Sequence, residues 1–501
     1  MDMRPPANAL QRIYRRLTMG GEPSIVEALG NFKWWPFLSI IAGPALGLLA
    51  YMLVDDLETP ARIMLGIFTL TAVYWTLGSI PPFATAILCM TLMAFLLGIP
   101  ADAGATTSDV KSWTQFIEPA AAPVIVLMLG GFVMGRTAHL LGVDRVLAGT
   151  LIKPFARTPS LTILGVMLVT ALFSMWMSNT ATAAMMLAIV APIAGQYPAG
   201  ANERRSLLVS IAVGANVGGM GTPIGTPPNA IAFAALKGQG VDITFLDWLL
   251  IGIPGVVVVL LLAWMALCWL YPWSSKDIAL TFPKREGRAD WKVWTVVLTF
   301  VVTVGLWVSS AWTNLPVAAV AILPLMVFTA TGLLTRKELN SLEWDILLLI
   351  AGGLALGKGM TLTGLADWMV AQLPLGGLGA ATTVALLCAA TLALSTFMSN
   401  TAVANMLMAI GIGLALSGET GAGIAQVGVS IALGASLAMG LPVSTPPNAI
   451  VFAGGQEPDA QGRQVHGVRT SDFLRVGAIV GVLGLIYAVA ISVTLVPRLI
   501  G

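Results

Sequence analysis

In a chain that is 57% hydrophobic and only 10% charged, side chains able to do chemistry are scarce, and they gather in two blocks. The first reads Ser174-Met-Trp-Met-Ser178-Asn179-Thr180-Ala181-Thr182-Ala183, followed by Gly225-Thr226-Pro227-Pro228-Asn229. The second reads Ser395-Thr-Phe-Met-Ser399-Asn400-Thr401-Ala402-Val403-Ala404, followed by Ser444-Thr445-Pro446-Pro447-Asn448. Hydroxyls, carboxamides and freed carbonyls are hard oxygen ligands suited to a desolvated alkali cation. The positive ends of half-helices suit an anion. The apolar stretch 380–414 holds no Asp, Glu, Lys, Arg or His, and neither does the interior of 158–194. A neutral cage of this kind needs bound cations to hold a dianion. The bland alternative is that Ser, Asn and Thr only glue helices together. For one motif the two readings weigh equally; duplication favours a built site. Thr182 and Asn405, beside the motifs, read as glue.

The register of the two blocks is close. Asn179 and Asn400 are offset by 221 residues (400 − 179), and Thr226 and Thr445 by 219 (445 − 226). Gly130-Gly131 with Arg136 recurs as Gly352-Gly353 with Lys358 at an offset of 222 (358 − 136). Arg136 and Lys358 are intramembrane cations, either functional or snorkelling to an interface. Asp345 and Asp367 read as interface markers.

The elements that position these groups must be membrane-spanning helices. A soluble protein carries about 25% charged residues, so this surface is stable only in a bilayer. Apolar runs near the 20 residues needed to cross lie at 35–54, 62–80, 82–99, 121–143, 206–236, 247–272, 292–310, 315–334, 344–373, 425–453 and 472–496. The runs 158–194 and 380–414 have polar centres and read as re-entrant hairpins. Thr-Pro-Pro-Asn breaks 206–236 and 425–453, because proline removes a donor and clashes with the preceding turn.

Charge supports this layout. With a cytoplasmic N-terminus, every Lys and Arg in a loop falls inside except Arg62, Lys111, Lys237 and Arg498, the positive-inside bias. The bias persists only if both hairpins return to the side they entered from; the C-terminus then lies outside. Each repeat, 62–272 and 292–501, has an odd number of full spans plus one hairpin, so the second enters from the opposite face. Such inverted repeats are an architecture of alternating-access transporters. Residues 1–34 read as a cytosolic segment with an amphipathic helix near Leu10 to Leu17, 35–61 as an extra first helix and loop, and 273–291 as a cytosolic linker. Cys89, Cys268 and Cys388 sit apart in apolar runs and read as free thiols. No basic stripe of the kind nucleic acid requires is present.

The two Ser-Asn-Thr tips, each followed by Thr-Pro-Pro, resemble the divalent anion/sodium symporter family, over nearly the whole chain after residue 35. The resemblance implies an all-α polytopic membrane protein with eleven transmembrane helices and two re-entrant hairpins. It further implies scaffold and elevator-type transport domains, a homodimer, and sodium-coupled import of C4-dicarboxylates. It places one sodium among Ser174, Ser178, Asn179 and Gly225, and a second among Ser395, Met398, Asn400 and Ser444, with Met398 offering its carbonyl. Substrate carboxylates meet Asn179, Thr180, Asn400 and Thr401, lined by Thr226, Pro227, Thr445 and Pro446. Exchangers of the family place a basic side chain near the motifs; none stands there in this chain, which favours symport.

Rival readings remain. A tricarboxylate or sulfate carrier, or an exchanger of the same fold, uses the same donors. An intramembrane enzyme would need paired aspartates, a Ser/His or Ser/Lys pair or a metal motif within spans, and Asp345 and Asp367 lie too far apart on one helix. A channel repeats a pore element around a subunit axis. The absence of Asn-X-Ser/Thr acceptors from outside loops is consistent with a bacterial inner membrane. The charge layout makes one direct prediction. A cysteine placed near Arg498 should react with an impermeant thiol reagent from outside intact cells, and one placed near Arg336 should not. The reverse pattern overturns the orientation.

Overall fold

Proline and glycine decide where the apolar runs become helices. The computed structural model describes residues 35–104, 109–198, 200–274, 290–372, 377–454, 456–458 and 464–500; the expected amphipathic segment and most of the linker 273–291 lie outside these. Helices α1 (Trp35–Leu53) and α2 (Thr59–Leu77) pack along each other, and α3 (Pro82–Met93) continues through a π turn to Asp102. Then come α4 (Pro123–Leu140) and the short α5 (Val143–Ile152). The first hairpin is α6 (Pro159–Ser174) and α7 (Asn179–Ala194). A broken pair, α8 (Asn202–Gly219) and α9 (Pro227–Gly238), precedes α10 (Phe245–Leu270).

The second half repeats this order. It runs α11 (Trp291–Thr313), the interrupted α12 (Val317–Ala330), α13 (Trp344–Leu362) and the short α14 (Leu365–Ala371). The second hairpin is α15 (Ala380–Phe397) and α16 (Asn400–Leu416), followed by the broken pair α17 (Ile424–Ser436) and α18 (Pro446–Gly454), then α19 (Thr470–Thr494). A two-stranded antiparallel ribbon, Gln456–Pro458 with Gln464–His466, lies between the last two helices.

Several helices open on proline at their first turn: α2, α3, α4, α6 and α9. Its missing N–H is unneeded there and its φ is already helical. Thr-Pro-Pro is therefore less a kink than a restart. α8 ends at Gly219, residues 220–226 turn without helix, and Pro227 begins α9. The expected span 344–373 is likewise two helices. Gly364 takes a left-handed φ of 74° and starts α14, as Gly142, at 65°, starts α5.

Among the described residues eight helices are long and apolar enough to cross a bilayer, one of them the hairpin arm α15. The chain is an integral membrane protein. Seven of the eleven expected spans are therefore among them; of the other four, two are split at their Thr-Pro-Pro restarts, α12 is interrupted at Ala321, and α1 falls short over its apolar part, Leu38–Leu53.

Each hairpin packs on the broken pair that follows it, α6 and α7 on α8, and α15 and α16 on α17. The halves interlock, since α9 packs on α17 and α7 on α18. Two apolar cores result. The larger joins both hairpins, both broken pairs, α4, α10 and α19. The smaller joins α2, α3, α13 and α14, with Met398, Ala402 and Val403 inserted from the second hairpin.

Matching carboxamides hold the breaks. Asn229 Nδ2 donates to the carbonyls of Gly219 (3.0 Å), Met220 (3.3 Å) and Thr222 (2.8 Å). Asn448 Nδ2 donates to those of Met439 (2.9 Å) and Leu441 (2.8 Å), at the same offset. Both asparagines are buried. A buried carbonyl left without a donor costs about 1–3 kcal/mol, so the Asn of each Thr-Pro-Pro-Asn staples its loop. Replacing Asn229 or Asn448 with Ala should lower the melting temperature of the detergent-purified protein by several degrees. An unchanged transition for both variants would remove the staple role.

Candidate functional site

Four helices begin at one place. The N-terminal residues of α7 (Asn179), α9 (Pro227), α16 (Asn400) and α18 (Pro446) all line a cavity of about 320 Å³. Thr180, Thr226, Thr401, Thr445, Gly225 and Asn216 line it too. Each helix N-terminus carries unpaired N–H groups and about half a positive charge. Four pointing at one cavity make it attractive to an anion although no Lys or Arg lines it. A larger cavity, about 640 Å³, lies further along the same helices between Glu118, Lys358 and Asn405. It contains none of the motif residues, so the smaller cavity is the candidate.

Oxygens crowd together behind the first hairpin tip. Ser174 is fully buried at the end of α6, and its hydroxyl lies 2.6 Å from both Asn179 Oδ1 and the Ala215 carbonyl. The same amide atom of Asn179 lies 3.2 Å from the Ala215 carbonyl and 3.1 Å from the Gly225 carbonyl. Acceptors facing acceptors repel. Turning the amide over converts these contacts to hydrogen bonds, and a cation among the oxygens satisfies them as they stand. The donor set is neutral, hard and closely spaced, which fits a sodium ion. Gly219 makes this approach possible, for a Cβ there would stand 2.6 Å from Asn179 Oδ1.

Ser178 plays a different part. Its hydroxyl oxygen accepts from the Ala181 N–H at 3.3 Å, capping α7, and its proton goes to Glu343 Oε1 at 2.6 Å.

The second tip has matching residue types with different partners. Ser395 Oγ and Asn400 Oδ1 are both buried without a hydrogen-bond partner. Met398 is extended, with its side chain in the smaller core. Ser444, in the place of Gly225, spends its hydroxyl on the Thr396 carbonyl at 2.7 Å. Orphaned buried oxygens are costly in a protein interior, and they fit a cation here as well. Of the expected site residues, Ser178, Asn179, Thr180, Gly225, Thr226, Pro227, Asn400, Thr401, Thr445 and Pro446 line the one cavity, and Ser174 lies behind it against Asn179.

Other expectations divide. Asn405 is glue, donating to the Leu349 carbonyl of α13 at 3.1 Å. The Thr182 hydroxyl is buried and bonds nothing. Lys358 is neither snorkelling alone nor at the site: it pairs with Glu118 at 2.7 Å. Arg136 is partly buried, with Nε unpartnered.

Known proteins resemble this chain over most of its length. A family model described as citrate transporter matches residues 63–434. The chain belongs to that family. An uncharacterized transporter of Haemophilus influenzae is 31% identical over 84% of this chain and 88% of its own length. The sodium-dependent dicarboxylate transporter SdcS of Staphylococcus saprophyticus is 28% identical over 93% of this chain and 92% of its own. The Alcanivorax borkumensis YdaH transporter shares the fold at a TM-score of 0.54, with 14% identity, over 82% of this chain and 97% of that one. These similarities bear out the resemblance to divalent anion/sodium symporters. Membership in the family makes the chain a transporter and not an enzyme.

The sequence reading missed two acids. Glu343 and Asp345 line the cavity beside the motif residues, so its lining is not neutral as expected. Glu343 precedes α13 and has no acidic counterpart in the first half, where Ala121 holds the matching place (343 − 222 = 121). Repeat comparison therefore could not find it. Two carboxylates at the head of an apolar run were the available signal. The cage geometry predicts that Gly219→Ala abolishes transport while the protein still folds and elutes as the wild type does. Full activity in that variant would show that Asn179 need not approach Gly219.

Proposed function

We propose that this chain imports C4-dicarboxylates of the succinate, malate and fumarate type together with sodium. The observation that carries the reading is the pairing of two oxygen-rich, electron-donor cages with four converging helix N-termini. The cages suit small cations and the N-termini suit carboxylates. Neither half works well alone. A dianion brought to a cavity lined by Glu343 and Asp345 needs positive charge beyond that of helix ends, and co-bound sodium supplies it. The named activity of the SdcS relatives supports both ion and substrate class.

In this reading Ser174, Asn179 and Gly225 hold one sodium, with Ser178 at its edge, and Ser395, Asn400, Ser444 and the Met398 carbonyl hold the other. Asn179, Thr180, Asn400 and Thr401 meet the substrate carboxylates. The two halves are inverted repeats, and the hairpins with their broken pairs form a transport domain. That domain moves as an elevator against a scaffold containing α2, α3 and α13. The carrier works as a homodimer in a bacterial inner membrane, with its N-terminus inside and C-terminus outside.

A tricarboxylate is the second reading, favoured by the description of the matched family as citrate transporters. Purified protein in proteoliposomes, given labelled succinate, malate, fumarate, citrate and sulfate with and without an inward sodium gradient, decides between them. Sodium-driven succinate uptake is expected, with citrate and sulfate weaker. Uptake of citrate alone would transfer the reading to tricarboxylates, and indifference to sodium would remove the coupling. Asn179→Ala and Asn400→Ala should each reduce sodium-driven uptake at least about a hundredfold, since each removes a ligand shared by ion and substrate. Wild-type rates in either variant would take that residue out of the site.

A further inference from the structure

One side chain at the cavity is not explained by the groups assigned so far. Glu343 stands in the turn between the short helix Arg336–Asn340 and α13. It reaches the tip of the first hairpin, where Oε1 accepts the Ser178 hydroxyl. Its Oε2 is closed off from solvent and has no hydrogen-bond partner. Glu343 and Asp345 are the only charged residues among those lining the cavity.

Chemistry narrows what Oε2 is for. An ionised carboxylate accepts and cannot donate, so an anionic substrate is repelled by it. A cation is attracted. Ser178 points the same way. A hydroxyl has one proton and two lone pairs; its proton goes to Glu343 and one lone pair takes the Ala181 N–H. One lone pair remains, on an oxygen adjacent in sequence to Asn179 and made more negative by the bond to Glu343. The second hairpin has no such arrangement. Ser399 makes no side-chain capping bond, and no carboxylate stands among the lining residues beside it other than these two.

Resting on the sodium-coupled reading above, we propose that Glu343 is the charged member of the first cation site. It fixes the Ser178 hydroxyl so that its free lone pair serves the cation, and its negative charge raises affinity for that cation while opposing the anion. The two cation sites are consequently unequal, and the one behind the first hairpin fills at lower sodium. Glu343 is a positioning and charge-setting residue. Its removal moves the sodium and substrate dependences in different directions, which a loss of packing does not do.

The test uses the full-length carrier in proteoliposomes at one fixed pH, with labelled succinate as the probe and sodium varied against choline. Three forms are compared: wild type, Glu343→Gln and Glu343→Asp. Gln keeps an acceptor for Ser178 and removes the charge; Asp keeps the charge. Glu343→Gln should raise half-saturating sodium by about tenfold, the size expected for one charge about 6 Å away at an effective dielectric of about 40. At saturating sodium its KM for succinate should be unchanged or lower. Glu343→Asp should recover much of the wild-type sodium dependence. Wild-type half-saturating sodium in Glu343→Gln, or a parallel weakening for sodium and succinate, overturns the proposal.

Where Glu343→Gln is too slow to assay, thermal stabilisation of the detergent-solubilised protein by sodium replaces uptake. A midpoint displaced to higher sodium supports the proposal and an undisplaced one overturns it. Wild-type uptake indifferent to sodium would instead defeat the coupling reading itself. Sodium-driven wild-type uptake with an undisplaced Glu343→Gln defeats only the role given to Glu343.

Discussion

A helix that stops inside a bilayer leaves main-chain N–H and C=O groups with no water to take them, and each costs several kcal/mol unless protein or ligand satisfies it. Much of this molecule follows from how that constraint is met. α6, α8, α15 and α17 stop, and α7, α9, α16 and α18 start, around one region. Some freed carbonyls are taken by the carboxamides of Asn229 and Asn448. Others, with Ser174 and Asn179, face one another in a cage. The N-termini are turned toward the cavity. Unpaired backbone groups that would be a liability elsewhere here face a cavity with both polarities represented.

Duplication gives the site its plan and divergence gives it direction. The staples of the two halves match nearly atom for atom at an offset of 219 (448 − 229). The cages do not. Where the first half has Gly219 and Gly225, the second has Ala438 and Ser444, and the Ser444 hydroxyl is bound to the Thr396 carbonyl. Asn216 has no amide counterpart in the second half, yet it donates to Asn448 at 3.0 Å and ties the two breaks together. Glu343 adds charge on one side only. The matching positions of the two halves thus share a plan, and the departures from it make the two tips chemically unequal.

The same division governs packing. Small residues allow the elements near the site to approach closely: a Cβ on Gly218 would run into the Ala171 backbone, and one on Gly130 into Ala321. Elsewhere bulky apolar side chains fill the interfaces, as where Trp307 stacks on Phe245 at 5.2 Å. The two cores are joined through the second hairpin, whose Met398, Ala402 and Val403 enter the smaller one and whose Asn405 fits closely against Gly353 of α13.

Most of the plan was legible along the chain. Hydropathy located the helices, because a span's apolar length is a local property, and the duplicated Ser-Asn-Thr and Thr-Pro-Pro signals located the breaks. The motif residues of both halves did converge on one cavity, since repeats that pack face to face bring matching positions together. Local sequence was less informative about what happens at each break. Proline marked an interruption, but only the fold shows a seven-residue restart held by Asn229.

What composition and spacing determined was membrane residence, the order of elements and which side chains are candidates for the site, because each depends on residues near one another in sequence. What the tertiary structure decided was the charge of that site and the role of single atoms within it. Glu343 meets Ser178 from 165 residues away, and Asn216 meets Asn448 from 232. No periodicity links such pairs. They touch only because the packing of whole helices carries them there, and electrostatics at such short range depends on that contact and not on order along the chain.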